Sequence, residues 1–265
     1  QRTVSAGSIT IQGEYYWYGT VAASKTGKIT LGVSDYGYAN RAQIAAGDVI
    51  WATKWSGAVG ASAPTESIID TVSSVSGAEV SLTTNSGKAF DTTWTYCITH
   101  TKFAFTGSNC IILPSSNVLI NGIHLHSIDA GYIGYVYGGG KMSLNTCAIT
   151  SDVNATCVHG ESRAHIAIYN TLIKSNGSGI GIRLLGRSLL DMSRCVLSGL
   201  NNGLNVVSSD INNWIAKTHI MNTVNIGISA TGNSYIRVGT GSSATLNEAV
   251  TPKSPATSSD GTHIQ

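Results

Sequence analysis

The stretch from His165 to Ser188, "HIAIYNTLIKSNGSGIGIRLLGRS", carries three short apolar runs within 24 residues. In Ile180-Gly181-Ile182-Arg183-Leu184 apolar residues alternate with others, a period of two that marks a strand and not a helix. Gly177, Gly179 and Gly181 resemble a loop that cradles a phosphate. A dinucleotide loop, however, needs G-x-G-x-x-G between a strand and a helix, and the position three after Gly181 is Leu184. The glycines belong instead to a turn followed by a strand, because the whole stretch recurs along the chain.

Four further stretches align beneath it: "NVLINGIHLHSIDAGYIGYVYGGG" (117–140), "KMSLNTCAITSDVNATCVHGESRA" (141–164), "LLDMSRCVLSGLNNGLNVVSSD" (189–210) and "INNWIAKTHIMNTVNIGISATGNS" (211–234). Small residues recur every 24 positions at Gly131, Ala155, Gly179, Gly203 and Gly227. Three apolar columns run beside them. One holds Tyr132, Thr156, Ile180, Leu204 and Ile228, the second Ile120, Leu144, Ile168, Met192 and Ile215, and the third Leu125, Ile149, Ile173, Leu197 and Ile220. A unit of this size with three short strands buries its apolar face only by stacking on copies of itself. The pattern predicts a parallel β-helix of about six coils, with the three columns as interior ladders. Gly179 falls at a corner, where a positive φ or a close backbone approach favours glycine.

Composition agrees. Only 11% of the 265 residues are charged, and Gly numbers 30. That balance argues for an all-β, turn-rich architecture. A net charge of +2 does not point to a nucleic-acid partner. No apolar run approaches the roughly 18 residues of a membrane span. The first residues, "QRTVSAGSITI", lack the apolar core of a signal peptide, and the chain does not begin with Met, as expected of a fragment or processed product. The five cysteines form no C-x-x-C pair. Cys147 and Cys195 occupy equivalent repeat positions, where cysteine serves as a small buried hydrophobe, consistent with assembly in a reducing cytoplasm.

Outside the coils, "GDVIWATKWSG" and "ESIIDTVSSVSGAEVSLTT" read as strands, the latter containing a tight turn at Ser76-Gly77. The chain therefore divides into an N-terminal strand and cap region at 1–40, a small β-barrel or sandwich at 41–93, the parallel β-helix at 94–240 and a capping tail at 241–265. The aromatic run at 15–18 is expected to plug the open end of the helix. The phrase "AAGDVIWATKWSGAVGASAPTESIIDTVSSVSGAEVSLTT" is similar to the small β module that precedes the coils in many phage tailspikes and tail fibres of the pectate-lyase-like β-helix superfamily. Its shared pattern is Gly-Asp before a strand, a Gly-rich loop, then I-x-x-V-x-G-x-x-V-x-L over Ile69 to Leu82. The resemblance implies a right-handed helix, as parallel crossovers generally are. It further implies a homotrimer in a virion tail, joined to other phage tail proteins, that binds and often cuts bacterial surface polysaccharide. A bacterial adhesin or ice-binding solenoid is a third class, though ice binders present flat Thr arrays and the outward columns here are mixed.

Alternation places Tyr135, His159 and Arg183 in one outward column, with Tyr137, Glu161 and Leu185 two positions further on. Such a patch suits sugar rings, through ring stacking and hydrogen bonds to hydroxyls; ordinary solvated strand surface is the plainer reading. A glycoside hydrolase needs two carboxyls about 5–10 Å apart. Asp129 and Asp152, 23 residues apart, offer one pair, and Glu161 and Asp210, 49 apart, another. A lyase would draw on His159, Tyr135 and Arg183. His124 and His126 share a face with His219 nearby, but no third metal ligand is identifiable and no cofactor is expected. Leu119, Leu172, Val196 and Trp214 read as water-facing apolar residues, which predicts a covered interface such as a trimer seam.

Overall fold

The computed structural model describes residues 7–14, 16–38, 43–57, 64–107, 109–129, 131–175, 179–208, 213–216, 218–221, 226–232, 234–238 and 263–264. It contains two compact units.

In the first unit, six antiparallel strands close into a barrel, in the order Tyr16–Val21, Lys28–Tyr38, Glu79–Leu82, Pro64–Ser76, Val49–Trp55 and Trp94–Thr99. Ile29, Leu31, Ile50, Val72, Val80, Phe90, Trp94 and Ile98 fill it. Phe90 and Trp94 meet edge to face at 4.9 Å. The barrel reaches beyond the 41–93 span read from sequence, at both ends. Of the run expected as a plug, residues 16–18 lie in Tyr16–Val21, a barrel strand paired on both sides, and Tyr15 lies outside the described residues. Trp17 Nε1 and the Gly32 amide both donate to the Tyr96 hydroxyl, which therefore satisfies two donors from inside the barrel wall. Of this strand's aromatics, Trp17 packs half-buried against the barrel core.

The second unit is a parallel β-solenoid. Its three sheets repeat in chain order. Sheet one includes Asn117–Asn121, Lys141–Asn145, His165–Tyr169, Leu189–Ser193, Asn213–Ala216 and Tyr235–Val238. Sheet two includes Ala148–Ser151, Leu172–Ser175, Val196–Ser198 and His219–Met221. Sheet three includes Asn109–Pro114, Gly131–Tyr137, Ala155–Gly160, Ile180–Leu185, Asn202–Val207 and Ile226–Thr231.

Two of the predicted ladders are present as read. Leu144, Ile168, Met192 and Ile215 pair in register in sheet one, and Ile149, Ile173, Leu197 and Ile220 in sheet two. The described members are buried. The third ladder differs. Leu204 pairs with Ile182, and Ile180 pairs with Asn202, so the register of sheet three runs 22 residues at this step, not 24. The cause lies at the corner after sheet two. Six positions separate Lys174 from Ile180, but only four separate its partner Ser198 from Asn202. Two residues are missing from that corner. The interior ladder of sheet three is therefore Val158, Ile182, Leu204 and Ile228, with Val136, Leu184, Val206 and Ala230 beside it. Tyr132, Thr156 and Ile180 form a separate, half-buried column. Gly179 earns its place by close approach: a Cβ there would lie 2.5 Å from the Ala155 carbonyl oxygen.

The corner after sheet one accounts for two of the five cysteines. Cys147, Thr171, Cys195 and Thr218 occupy it in successive coils, all buried. Cys147 and Cys195 turn their Sγ–H toward the carbonyls of Asn145 and Ser193, as Thr171 turns its hydroxyl toward Tyr169. Each covers the carbonyl two residues behind it. Burial pushes the Cys157 and Cys195 thiols up to about 12.

Leu172 and Val196 are not water-facing. Both are buried, as are Ile173 and Leu197 next to them. In strands of three or four residues the first position sits in the bend, where two successive side chains are enclosed and strict alternation fails. Leu119 and Ile128 do remain exposed. The Trp214 side chain and Asp210 lie outside the described residues, as does the expected tail except for the strand His263–Ile264.

Candidate functional site

The outward face of sheet three gathers the side chains read from the sequence as a patch. Parallel pairing sets Tyr135 beside His159 and His159 beside Arg183, about one strand spacing of 4.8 Å apart. Tyr137 stands two residues beyond Tyr135, its ring 5.2 Å from that of Tyr135. A fourth aromatic joins them. Tyr132 stacks on Tyr135 at 5.2 Å, with planes 23° apart, and its centroid lies 4.7 Å from the His159 ring. The sequence placed Tyr132 in the core. It turns outward because Ile133 and Gly134 are both buried, which breaks the alternation between Tyr132 and Tyr135. Gly134 permits this, since a Cβ there would press within 2.9 Å of the Met142 sulfur. The spacing "GYIGYVYGGG", with a glycine between the tyrosines, was the available signal.

Glu161 is pinned at the end of this ladder. Tyr135 donates its hydroxyl to Oε1 at 2.5 Å, and the His159 Nε2 lies 3.3 Å from Oε2. The Tyr135 hydrogen bond and the neighbouring His159 hold the Glu161 carboxyl below the usual carboxylate range. Burial, together with that carboxylate, pushes the Tyr135 phenol up to about 12. His159 is only 2% exposed, and its burial beneath the rings lowers its pKa despite the glutamate. It is thus a neutral support under the platform, not the open contact read from sequence. The half-buried side chains that remain within reach of a ligand are Tyr132, Tyr135, Tyr137, Glu161 and Arg183. His159 Nδ1 and Arg183 Nε are buried without a hydrogen-bond partner among the described residues. Orphaned buried polar atoms are uncommon in native proteins. Two within one cluster mark it out.

Of the other candidate carboxyls, Asp129 and Asp152 do not join this face, and Asp210 lies outside the described residues. Asp129 accepts the Gly107 amide at 2.8 Å, and Asp152 lies 3.2 Å from His126 Nε2. They stand one position out of step in adjacent corners. Ser127 and Ser151 each donate to the carbonyl two residues on, which sets Asp129 level with Val153. Both aspartates are corner residues, as short acidic side chains in turns commonly are. His126 is also held by Thr150 at 2.8 Å. Among the described residues no group of three His, Cys, Asp or Glu gathers to hold a metal.

A related pair occurs on sheet one, where the Tyr169 hydroxyl donates to Asp191 Oδ2 at 2.6 Å. Burial, with the aspartate beside it, raises the Tyr169 phenol to about 12. Nothing in the sequence reading had singled it out.

No protein-family model and no curated protein matches the chain. Three solved structures that align with it are tailspikes. The tailspike of Pseudomonas phage phi297 is 12% identical, aligned over 97% of this chain and 58% of its own length, with a TM-score of 0.25. That of Acinetobacter baumannii bacteriophage AP22, solved with an A. baumannii capsular saccharide, is 10% identical over 96% of this chain and 67% of its own, with a TM-score of 0.24. That of Pseudomonas phage LKA1 is 11% identical over 99% and 73%, with a TM-score of 0.25. The chain thus spans little more than half of the phi297 protein. At such scores the likeness is a loose one, and the fold rests on strand register within the chain itself. That register defines an all-β parallel solenoid of about 24 residues per coil, preceded in sequence by a six-stranded antiparallel barrel.

Proposed function

We propose that the chain is a receptor-binding spike or fibre of a phage tail, attaching to a bacterial surface polysaccharide through the outward face of sheet three. The observation that carries this reading is the platform of Tyr132, Tyr135 and Tyr137, with Glu161 fixed beside it in the next coil and Arg183 in the coil after that. Aromatic faces stack on the apolar side of a sugar ring. A carboxylate accepts hydroxyl protons and a guanidinium donates to hydroxyls or to an acidic sugar's carboxylate. The phage setting comes from the β-module resemblance in the sequence; so do the homotrimer, the other tail proteins as neighbours, and the place in the virion at the host surface. Sedimentation of the purified chain at micromolar concentration checks the trimer, which a monomer would contradict. The receptor reading is tested by binding to polysaccharide from an adsorbing strain. Combined Tyr135→Ala, Arg183→Ala and Glu161→Ala should abolish binding with little change in melting; unchanged binding would place the site elsewhere.

A polysaccharide depolymerase is the alternative, favoured by the hydrogen-bonded trio of Tyr135, Glu161 and His159. The Tyr135 phenol stays protonated and could donate to a leaving oxygen, but its raised pKa makes it a weaker general acid than an ordinary tyrosine. Glu161 is the one carboxylate among the described residues of this face, which weighs against a two-carboxylate hydrolase. New reducing ends or unsaturated products on incubation would establish cleavage.

A further inference from the structure

A titratable ring lies enclosed beneath the platform. His159, in Ala155–Gly160, stands between Tyr135 in the coil before and Arg183 in the coil after. Only 2% of its side chain is exposed. The Tyr132 and Tyr135 rings cover it, their centroids 4.7 and 5.1 Å away and their planes tilted by 45° and 55°. Among the described residues, the titratable and charged groups that face it are those two tyrosines, Glu161 just beyond its own strand, and Arg183. Both tyrosines rest on the imidazole, so the shape of the binding face depends on where that ring stays.

The surroundings suit a neutral ring. Nε2 faces Glu161 Oε2 at 3.3 Å, which places the single proton of a neutral imidazole on Nε2 and leaves Nδ1 as an acceptor. Nδ1 is buried and has no hydrogen-bond partner among the described residues. A second proton would turn it into a buried donor with nothing to receive it. It would also set a cation in register beside the Arg183 side chain, one strand spacing of about 4.8 Å along the sheet. Glu161 and the two tilted rings attract that cation. Burial outweighs them, and the His159 pKa lies below the ordinary histidine value. An imidazolium gains water for its Nδ1–H only by swinging out from under the rings. That movement withdraws the support of Tyr132 and Tyr135.

We propose that His159 gates the platform: the neutral ring holds Tyr132 and Tyr135 in the binding position, and a proton on it releases them, so that attachment to polysaccharide weakens on acidification. The inference rests on the receptor reading and adds regulation to that site. A sugar on the rings closes the way out for His159, so ligand and proton exclude one another. The apparent affinity is the intrinsic affinity scaled by the fraction of neutral ring, which falls about tenfold per pH unit once the proton binds. No covalent bond between heavy atoms is made or broken.

The test uses the full chain and polysaccharide from an adsorbing strain, read by calorimetry from about pH 7.5 to about pH 5, a window above the range in which Glu161 titrates. Affinity should be flat at the upper end and fall toward the lower, approaching about tenfold per pH unit. His159→Gln, neutral throughout, should change by less than about twofold. Flat binding in the unaltered protein, or an equal fall in His159→Gln, would overturn the gate. Far-UV circular dichroism should hold constant across the window. Its loss in step with binding would also overturn the gate, because the coil and not the platform would then be yielding. NMR of the unaltered protein without ligand gives an independent reading. The Tyr132 and Tyr135 ring resonances should move with the titration of His159, and rings that stay fixed through that titration would defeat the proposal. Moving rings in a protein that binds no polysaccharide at any pH would sink the receptor reading and leave the switch standing.

Discussion

Sheets one and three of the solenoid each carry a tyrosine hydroxyl donated to a carboxylate, Tyr169 to Asp191 on one and Tyr135 to Glu161 on the other. Both phenols rise to about 12, burial being the main cause. The pair alone is therefore a way of fixing side chains across coils. What distinguishes sheet three is its surroundings: two more tyrosines, a buried neutral histidine beneath, and an arginine one coil further. The two sheets differ in register as well. Sheet one steps evenly through Leu144, Ile168 and Met192, while sheet three slips by two residues between Ile180 and its partner Asn202.

That slip gives the largest expected effect. Leu204 is fully buried and Ile180 half exposed. Leu204→Asp puts an unpaired carboxylate in a dry core and should cost more than about 4 kcal/mol, enough to prevent folding. Ile180→Asp should fold and lose about 1 kcal/mol. Equal behaviour of the two in circular-dichroism melts would restore the unslipped ladder.

Next come the two tyrosines. Tyr135→Ala should weaken polysaccharide binding by about 1–3 kcal/mol, and Tyr169→Ala should leave it unchanged. Binding lost in the second variant and kept in the first would move the site to sheet one.

The acid response of sheet three should follow its own groups. His159 has a lowered folded pKa, so the unfolded chain binds a proton first and stability falls as pH drops below about 6.5. Glu161 also has a lowered folded pKa, so its contribution is present above about 4.5 and is lost as pH falls through the folded value. Both act in the same direction. Melting temperature should decline from pH 7 toward pH 4, and His159→Gln should flatten the upper part of that decline. An unchanged slope would remove His159 from beneath the platform.

The corner ladder gives the smallest effect. Cys147→Thr and Cys195→Thr place at one corner the residue found there at Thr171 and Thr218, and each should change stability by less than about 0.5 kcal/mol. A loss several times larger would show that the corners are not interchangeable.

Much of this was legible in the sequence, for a physical reason. A solenoid repeats its core, so Ile149, Ile173 and Leu197 announce a ladder by spacing alone, and the outward column of Tyr135, His159 and Arg183 follows by alternation. Corners obey no such rule. A shortened corner before Asn202 leaves the evenly spaced Gly179 and Gly203 out of register, and the kink at Ile133 and Gly134 turns Tyr132 outward. Leu172 and Val196 became buried through corner geometry in the same way. The barrel was read too narrowly because its strands pair across long separations, Tyr16–Val21 with Trp94–Thr99, which no local period reveals.

Hydrogen exchange with and without polysaccharide from an adsorbing strain tests the central claim most directly. Bound polysaccharide should protect amides in Gly131–Tyr137, Ala155–Gly160 and Ile180–Leu185 and leave Ala148–Ser151 and Leu172–Ser175 unchanged. Protection confined to sheet two, or to the barrel strands, would contradict a receptor site on the outward face of sheet three.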